Sequence, residues 1–295
     1  MIISLERILT SDGLWLDGLF FKPQTKTNKA IIWVHGLLGN FYGGGERVRI
    51  LGKICTENNF SFVSFNTRGA GVMSRFSKQT SANIKHKNRK TIGGGLENFK
   101  ESIWDIEAMI KFLQRRGFKK IYLVGHSTGA NKVLYYMYKR CDRYVAGISL
   151  VGPMNDFAGK KQELGSRYNS IIKKVKVLAK KNPHKLLPYL LSPVPTTAAR
   201  YLSLYTPGTP EDVFPYYNKK AKFKELASVR APILVLIGER DEYLDRSPQN
   251  FVNIFKSKAV KTKKFVGQII KSADHGFYNK EKNLAEAIVN WIKKI

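Results

Sequence analysis

Apolar and polar positions change their period repeatedly along this chain, and each change marks a strand giving way to a helix or the reverse. Residues 3–9 and 14–21 flank Thr10-Ser11-Asp12-Gly13, a turn with its glycine where a positive φ is wanted, and predict a hairpin. Residues 30–34 read as a buried strand running into His35-Gly36, and helical material follows over 47–57. The next strand, 60–65, ends in Asn66-Thr67-Arg68-Gly69-Ala70-Gly71. Gly95-Leu96-Glu97 is expected to open an amphipathic helix in which Phe99, Ile103, Ile106, Ile110 and Leu113 recur at steps of three and four, and Gly117 closes it. Ile121-Tyr122-Leu123-Val124 is too short for a helix and is bounded by a glycine, so it reads as a strand. Residues 130–140 hold no Gly or Pro and place Val133, Leu134 and Met137 at helical spacing. Residues 145–151 form another strand, stopped by Gly152-Pro153.

The alternation breaks between 154 and 230, a helical, basic stretch punctuated by prolines, and then resumes. Residues 232–238 predict a strand, 251–255 part of a helix, 262–270 the last strand and 284–295 a closing amphipathic helix. Strands alternating with helices imply the α/β class: a mostly parallel sheet with helices on both faces. The segment 154–230 is too long for a plain connection between two strands. It is expected to be a helical, lysine-rich cap inserted into a core made of 1–153 and 231–295.

Candidate chemistry begins at 125–129, which read Gly-His-Ser-Thr-Gly. A G-x-S-x-G sequence between a strand and a helix has the context of a nucleophile elbow, a turn that pushes the serine hydroxyl out of the sheet. A serine hydroxyl is a poor nucleophile near neutral pH, so it needs a base within reach and an acid to orient that base. His126 is expected to point away from Ser127, His86 and His184 to be solvated in lysine-rich loops, and His35 to shape the loop after its strand. His275, in Ala273-Asp274-His275-Gly276-Phe277, follows the last strand and opens on the same sheet edge as the elbow. It is the base by position. The acid lies in Gly238-Glu239-Arg240-Asp241: Asp241 is the candidate, with Glu239, Glu242 and Asp245 as rivals and Asp274 expected to point away. The backbone N–H groups of Thr128 and Leu37 are the expected oxyanion donors, and Gly36 and Gly39 let the loop around Leu37 approach closely.

These motifs resemble the α/β-hydrolase superfamily in their order, from His35-Gly36 through 125–129 and Gly238 to Asp241, ending at His275-Gly276. Asn66-Thr67-Arg68-Gly69, Gly94-Gly95-Leu96-Glu97-Asn98-Phe99 and His126-Ser127-Thr128-Gly129-Ala130 further resemble a branch that includes siderophore esterases of the fusarinine C type. The superfamily resemblance implies an α/β-hydrolase fold and ester, thioester or amide hydrolysis through an acyl-enzyme. The expected activity is a serine-dependent carboxylesterase using Ser127, His275 and Asp241. Acyltransferase, thioesterase or C–C bond hydrolase chemistry on the same triad is the alternative, and a non-catalytic basic protein binding anionic membrane or nucleic acid is a third reading.

Composition and charge then narrow the partners. No apolar run approaches the roughly 20 residues of a membrane-spanning helix. The opening residues lack a basic region followed by a long apolar one, which predicts that a secretory leader is absent or already removed. Two isolated cysteines, Cys55 and Cys141, point to a reducing compartment, so a cytoplasmic location is expected. Neither C-x-x-C nor H-E-x-x-H occurs, so no metal and no cofactor is expected. The glycine runs 43–45 and 93–95 lack a following Gly-Lys-Ser/Thr and read as loops near the site mouth rather than phosphate cradles. The formal charge is +29, from 51 Lys and Arg against 22 Asp and Glu, with basic clusters at 85–90, 160–161, 173–176, 180–181 and 219–224. Such an excess suits an acidic ester substrate or an anionic membrane surface. No specific nucleic-acid module accompanies it.

Overall fold

A computed structural model describes residues 1–44, 46–79 and 88–295. Gly45, His86 and the part of the 85–90 cluster before residue 88 lie outside the described residues. The predicted hairpin is β1 (Ile2–Leu9) and β2 (Trp15–Lys22), paired antiparallel around the expected turn. The following strands are β3 (Lys29–Val34), β4 (Ser61–Phe65), β5 (Ser74–Lys78), β6 (Asn88–Ile92), β7 (Lys120–His126), β8 (Val145–Val151), β9 (Ile233–Gly238) and β10 (Phe265–Ile270). Eight of them make one sheet in the order β1-β2-β4-β3-β7-β8-β9-β10, parallel from β4 onward.

The central strands read as unbroken apolar runs because both of their faces are covered. Ile32 and Val34 enter one core layer while Ile31 and Trp33 enter the other, and β9 divides in the same way, with Val235 and Ile237 opposed to Leu234 and Leu236. Helices α1 (Glu46–Glu57) and α9 (Glu281–Ile292) cover the second layer through Val48, Leu51, Leu284 and Ile288. Helices α2 (Ser102–Arg115), α3 (Thr128–Arg140) and α8 (Pro248–Lys258) cover the first through Ile106, Val133 and Phe251.

Two details depart from the sequence pattern. The helix expected to open at Gly95-Leu96-Glu97 begins at Ser102, after a single 3-10 turn over Phe99–Glu101 capped by Asn98. The preceding loop is instead drawn into a buried charge cluster by Glu97. Strands β5 and β6 form a separate antiparallel pair. Each has a single buried residue, Phe76 in β5 and Ile92 in β6, so no apolar alternation announces them.

Between β8 and β9 lie α4 (Asp156–Leu164), α5 (Tyr168–Lys181), α6 (Ala198–Tyr205) and α7 (Lys224–Ser228). Phe157, Tyr168, Ile172, Val175, Leu187 and Tyr201 make an apolar cluster of their own over the first three helices. Val213, Phe214, Phe223, Leu226 and Val229 join the main core instead.

Register sets the site. Val34 pairs with Gly125, His126 with Val151, Val151 with Leu236 and Gly238 with Ile270. The loops that carry Leu37, Ser127, Asp241 and His275 therefore leave the sheet at its C-terminal edge. Among the described residues, no helix is long and apolar enough to cross a membrane.

Candidate active site

Ser127 sits between β7 and α3 with φ 55° and ψ −127°, a backbone conformation that L-residues rarely adopt. The glycines at either side make that turn possible. A Cβ on Gly125 would meet the Gly129 carbonyl oxygen at 2.3 Å, and one on Gly129 would meet the Val34 carbonyl oxygen at 2.1 Å. Gly36 is confined for the same reason, since its Cβ would lie 2.9 Å from Ser127 Cβ. The Ser127 N–H donates to Val151 O at 2.9 Å, fixing the turn to the neighbouring strand.

His275 and Asp241 meet across the ends of β9 and β10. His275 Nδ1 lies 2.9 Å from Asp241 Oδ2, and both side chains are buried. The other Asp241 oxygen accepts the Tyr243 N–H at 3.1 Å. The rival carboxylates have different partners. Glu242 accepts the backbone N–H of His275 at 3.0 Å, Glu239 that of Ser272 at 2.8 Å, and Asp245 pairs with Arg246. Asp274 accepts the Tyr278 N–H at 3.0 Å. Glu239 and Glu242 thus hold the histidine loop by its backbone. Sequence spacing had offered them only as rivals for the ring, because it does not reveal whether a carboxylate meets a side chain or the main chain. A Cβ on Gly152, at the end of β8, would come 3.1 Å from the His275 ring, so a glycine there admits the imidazole.

His126 and His35 have structural roles. His126 is buried beside Trp33 and its Nε2 contacts the His275 carbonyl oxygen at 2.8 Å. Burial, with Arg47 nearby, lowers its pKa to about 3, so it is neutral and donates there. His35 accepts the Thr67 N–H through Nε2 at 3.0 Å and so carries its proton on Nδ1, 2.9 Å from Gly36 O. Burial and Lys132 lower its pKa to about 4. His184 is exposed.

Ser127, His275 and Leu37 line one cavity of about 880 Å³, with Tyr243, Tyr205 and Met154 among its walls. The Ser127 hydroxyl and the His275 ring face that space without a hydrogen bond between them; catalytic contacts often tighten only when substrate is bound. Thr128 is buried as the first residue of α3, directly after the serine. Arg47, Asp156 and Lys160 also line the cavity; Lys160 belongs to the 160–161 basic cluster, whereas no sequence motif marks Arg47 or Asp156. Lys160 is paired with Glu163 at 2.7 Å. Asp156 Oδ2 is buried with no hydrogen-bond partner, and burial, reinforced by Glu211, raises this carboxyl to about 7. Lys173, Lys174, Lys176, Lys180 and Lys181 are exposed on α5 and do not line the cavity.

A chain of buried charges ties the segment between β8 and β9 to the elbow helix. Lys132 of α3 meets Glu97 at 2.9 Å, and Arg200 of α6 meets both Glu97, at 2.9 Å, and Glu211. Arg200 Nε also donates to Gly94 O at 2.9 Å. Gly95 is pressed against the insertion, where a Cβ would meet Pro195 O at 2.0 Å. The 93–95 glycines therefore serve close packing. Among the described residues, no group of three or more His, Cys, Asp or Glu side chains is placed to hold a metal.

Comparison with known proteins gives a family and a fold. The family described as "Protein of unknown function (DUF1749)" matches residues 85–295, a span that contains Ser127, Asp241 and His275. No curated protein matches the chain in sequence. Among solved structures, the siderophore hydrolase EstB from Aspergillus fumigatus is 16% identical with a TM-score of 0.70, covering 99% of this chain and 98% of that one. The Pyrococcus furiosus esterase Pf2001 is 15% identical with a TM-score of 0.62, covering 99% and 91%. Est1E from Butyrivibrio proteoclasticus, seen with ferulic acid bound, is 15% identical with a TM-score of 0.63, covering 97% and 98%. With these likenesses and the sheet order above, the fold is that of the α/β-hydrolases.

Proposed function

The chain belongs to the DUF1749 family of proteins of unknown function, and we propose that it is a serine-dependent carboxylic ester hydrolase. The observation that carries this reading is the 2.9 Å contact of His275 Nδ1 with Asp241, on the same sheet edge as a serine held at φ 55°. Strained backbone at a turn that opens on a cavity, next to a buried imidazole–carboxylate pair, is the arrangement that nucleophilic acyl transfer requires. The esterase and hydrolase names of the structural neighbours agree with it.

In this reading Ser127 Oγ attacks the acyl carbonyl while His275 Nε2 takes its proton. Asp241 keeps the Nδ1 proton in place and stabilises the imidazolium. The carbonyl oxygen, now negative, accepts from the Leu37 and Thr128 N–H groups. His275 returns the proton to the departing alcohol, leaving Ser127 acylated. Water then attacks the acyl-enzyme with the same histidine as base, releasing the acid and restoring the hydroxyl. These steps need no cofactor. The segment 154–230 acts as the cap whose walls select the substrate.

A fluorophosphonate probe tests the reading. It is expected to label the native protein once, at the peptide containing Ser127. Labelling elsewhere, or none with folded protein, contradicts it. Product analysis with added alcohols or thiols separates hydrolysis from acyl transfer, and hydrolysis is the expected outcome.

A further inference from the structure

Arg47 is the unusual cation of this cavity. It stands in the first turn of α1 and is only 7% exposed. Its Nε is buried with no hydrogen-bond partner, and among the described residues it forms no ion pair. Instead its guanidinium carbon lies 5.4 Å from the centre of the Tyr278 ring, and a Cβ on Gly44 would come 3.5 Å from Nη2. Asp274 and Glu281 act on it only at longer range. Arg47, Gly44, Tyr278 and His126 all line the cavity that holds Ser127. The guanidinium is largely withdrawn from water and the protein offers it the Tyr278 side chain but no paired carboxylate, whereas a buried charge of this kind is normally paired.

The remaining charges of the cavity decide what would pair it. Lys160 is already neutralised by Glu163, and Glu242 is engaged by the His275 backbone. Asp156 brings a further carboxyl to the wall. One free guanidinium in a wall otherwise supplied with carboxyls favours a single negative charge over a phosphate dianion, which the acidic groups would repel. The planar fork of arginine fits a carboxylate by two parallel hydrogen bonds.

We propose that Arg47 receives a carboxylate carried by the substrate, so that the site selects esters bearing an acid group at a distance from the scissile bond. This rests on the hydrolase reading and adds the substrate class. It also relocates the role of the basic charge. The recognising cation is one buried arginine at the cavity wall rather than the exposed lysines of α5.

The test compares p-nitrophenyl hemiesters of dicarboxylic acids, from succinate upward, with neutral p-nitrophenyl esters of matching length and with a phosphate-bearing ester. The wild-type protein is expected to prefer a hemiester of one length, with the preference expressed in KM. In Arg47→Met the ratio of kcat/KM for hemiester over neutral ester should fall by about 10-fold or more, as for loss of a hydrogen bond to a charged group. Arg47→Lys should recover part of that ratio. Preference for the phosphate-bearing ester, equal turnover of charged and neutral esters, or an unchanged ratio in Arg47→Met overturns the proposal while leaving the hydrolase reading intact. A second readout does not need turnover. Calorimetry on Ser127→Ala should show the free dicarboxylate binding, and Arg47→Met in that background should abolish it. Binding through Arg47 without turnover of any ester by the wild type would sink the hydrolase reading and keep the carboxylate site. Should Arg47→Met fail to fold, inhibition of the wild type by dicarboxylates but not by monocarboxylates of equal length decides the matter, and equal inhibition counts against the proposal.

Discussion

At the scale of single residues, the elbow is fixed by what cannot be fitted beside it. A Cβ on Gly129 would meet the Val34 carbonyl oxygen at 2.1 Å, a contact no rotamer can relieve because the Cβ is fixed by the backbone and its neighbour is a backbone atom. Gly129→Ala is therefore expected to destabilise the protein by about 1–3 kcal/mol, read from urea denaturation. Asp241→Asn keeps the shape of the acid but disfavours the histidine tautomer that Nδ1–H requires. It should lower kcat by roughly 10³- to 10⁴-fold while leaving the circular dichroism spectrum unchanged. Asp156 carries the pH prediction. Its carboxyl is raised from the usual 3.8 to about 7, so the folded chain keeps a proton that the unfolded chain has lost between those values. Its cost to stability is absent below about pH 4, accumulates as the pH rises and is complete above about pH 7. Asp156→Asn should raise Tm over the wild type by an amount that widens from pH 4 to pH 7 and then stays constant. A gap independent of pH would contradict this. Residues at this scale were legible in the sequence where backbone geometry dictated them: Gly125, Ser127 and Gly129 are a local motif. Arg47 and Asp156 were not, because each becomes notable only through what tertiary packing fails to place next to it.

Elements were legible in proportion to their burial. Strands β3, β4, β7, β8 and β9 are enclosed on both faces and announce themselves as apolar runs, whereas β5 and β6 each bury a single residue and left no trace. The helical face of α2 followed from its spacing, but its start did not. The Gly94-Gly95-Leu96-Glu97 loop is held by charge pairs to residues far away in sequence, a constraint that local periodicity does not carry. That loop, α3 and α6 are joined through Lys132, Glu97, Arg200 and Glu211. Removing Arg200 would leave buried Glu211 without its cation and Glu97 with Lys132 alone. Arg200→Met is expected to cost about 3–5 kcal/mol in chemical denaturation, whereas exposed Arg49→Met, at the surface pair with Glu46, should change stability little. Equal effects at the two sites would contradict the buried-network account.

For the whole molecule, the fold class and the order of the candidate site residues were readable because the sheet's C-terminal edge gathers loops that follow consecutive strand signals. What surrounds the cavity was not, since α4 to α6 pack in an arrangement with no fixed sequence rhythm. The net charge of +29 also belongs to this scale. Lys180, Lys181 and Lys185 are exposed and shortly precede Tyr189 and Leu190 in sequence, which are 74% and 94% accessible. We propose that this segment, cationic and then apolar along the chain, meets an anionic lipid surface. Co-sedimentation with phosphatidylglycerol vesicles is expected, weakening as salt rises and on Leu190→Asp, with no retention on phosphatidylcholine. Equal retention on both lipids would contradict that expectation.

The central claim is that Ser127 is the nucleophile of an ester hydrolase. Its most direct test is the hydrolysis of p-nitrophenyl esters by the wild type and by Ser127→Ala, with thermal melts run alongside. The account predicts that the variant loses turnover by about 10³-fold or more with its Tm preserved or raised, since alanine removes the hydroxyl without disturbing the elbow. Undiminished hydrolysis by a folded Ser127→Ala protein would contradict it.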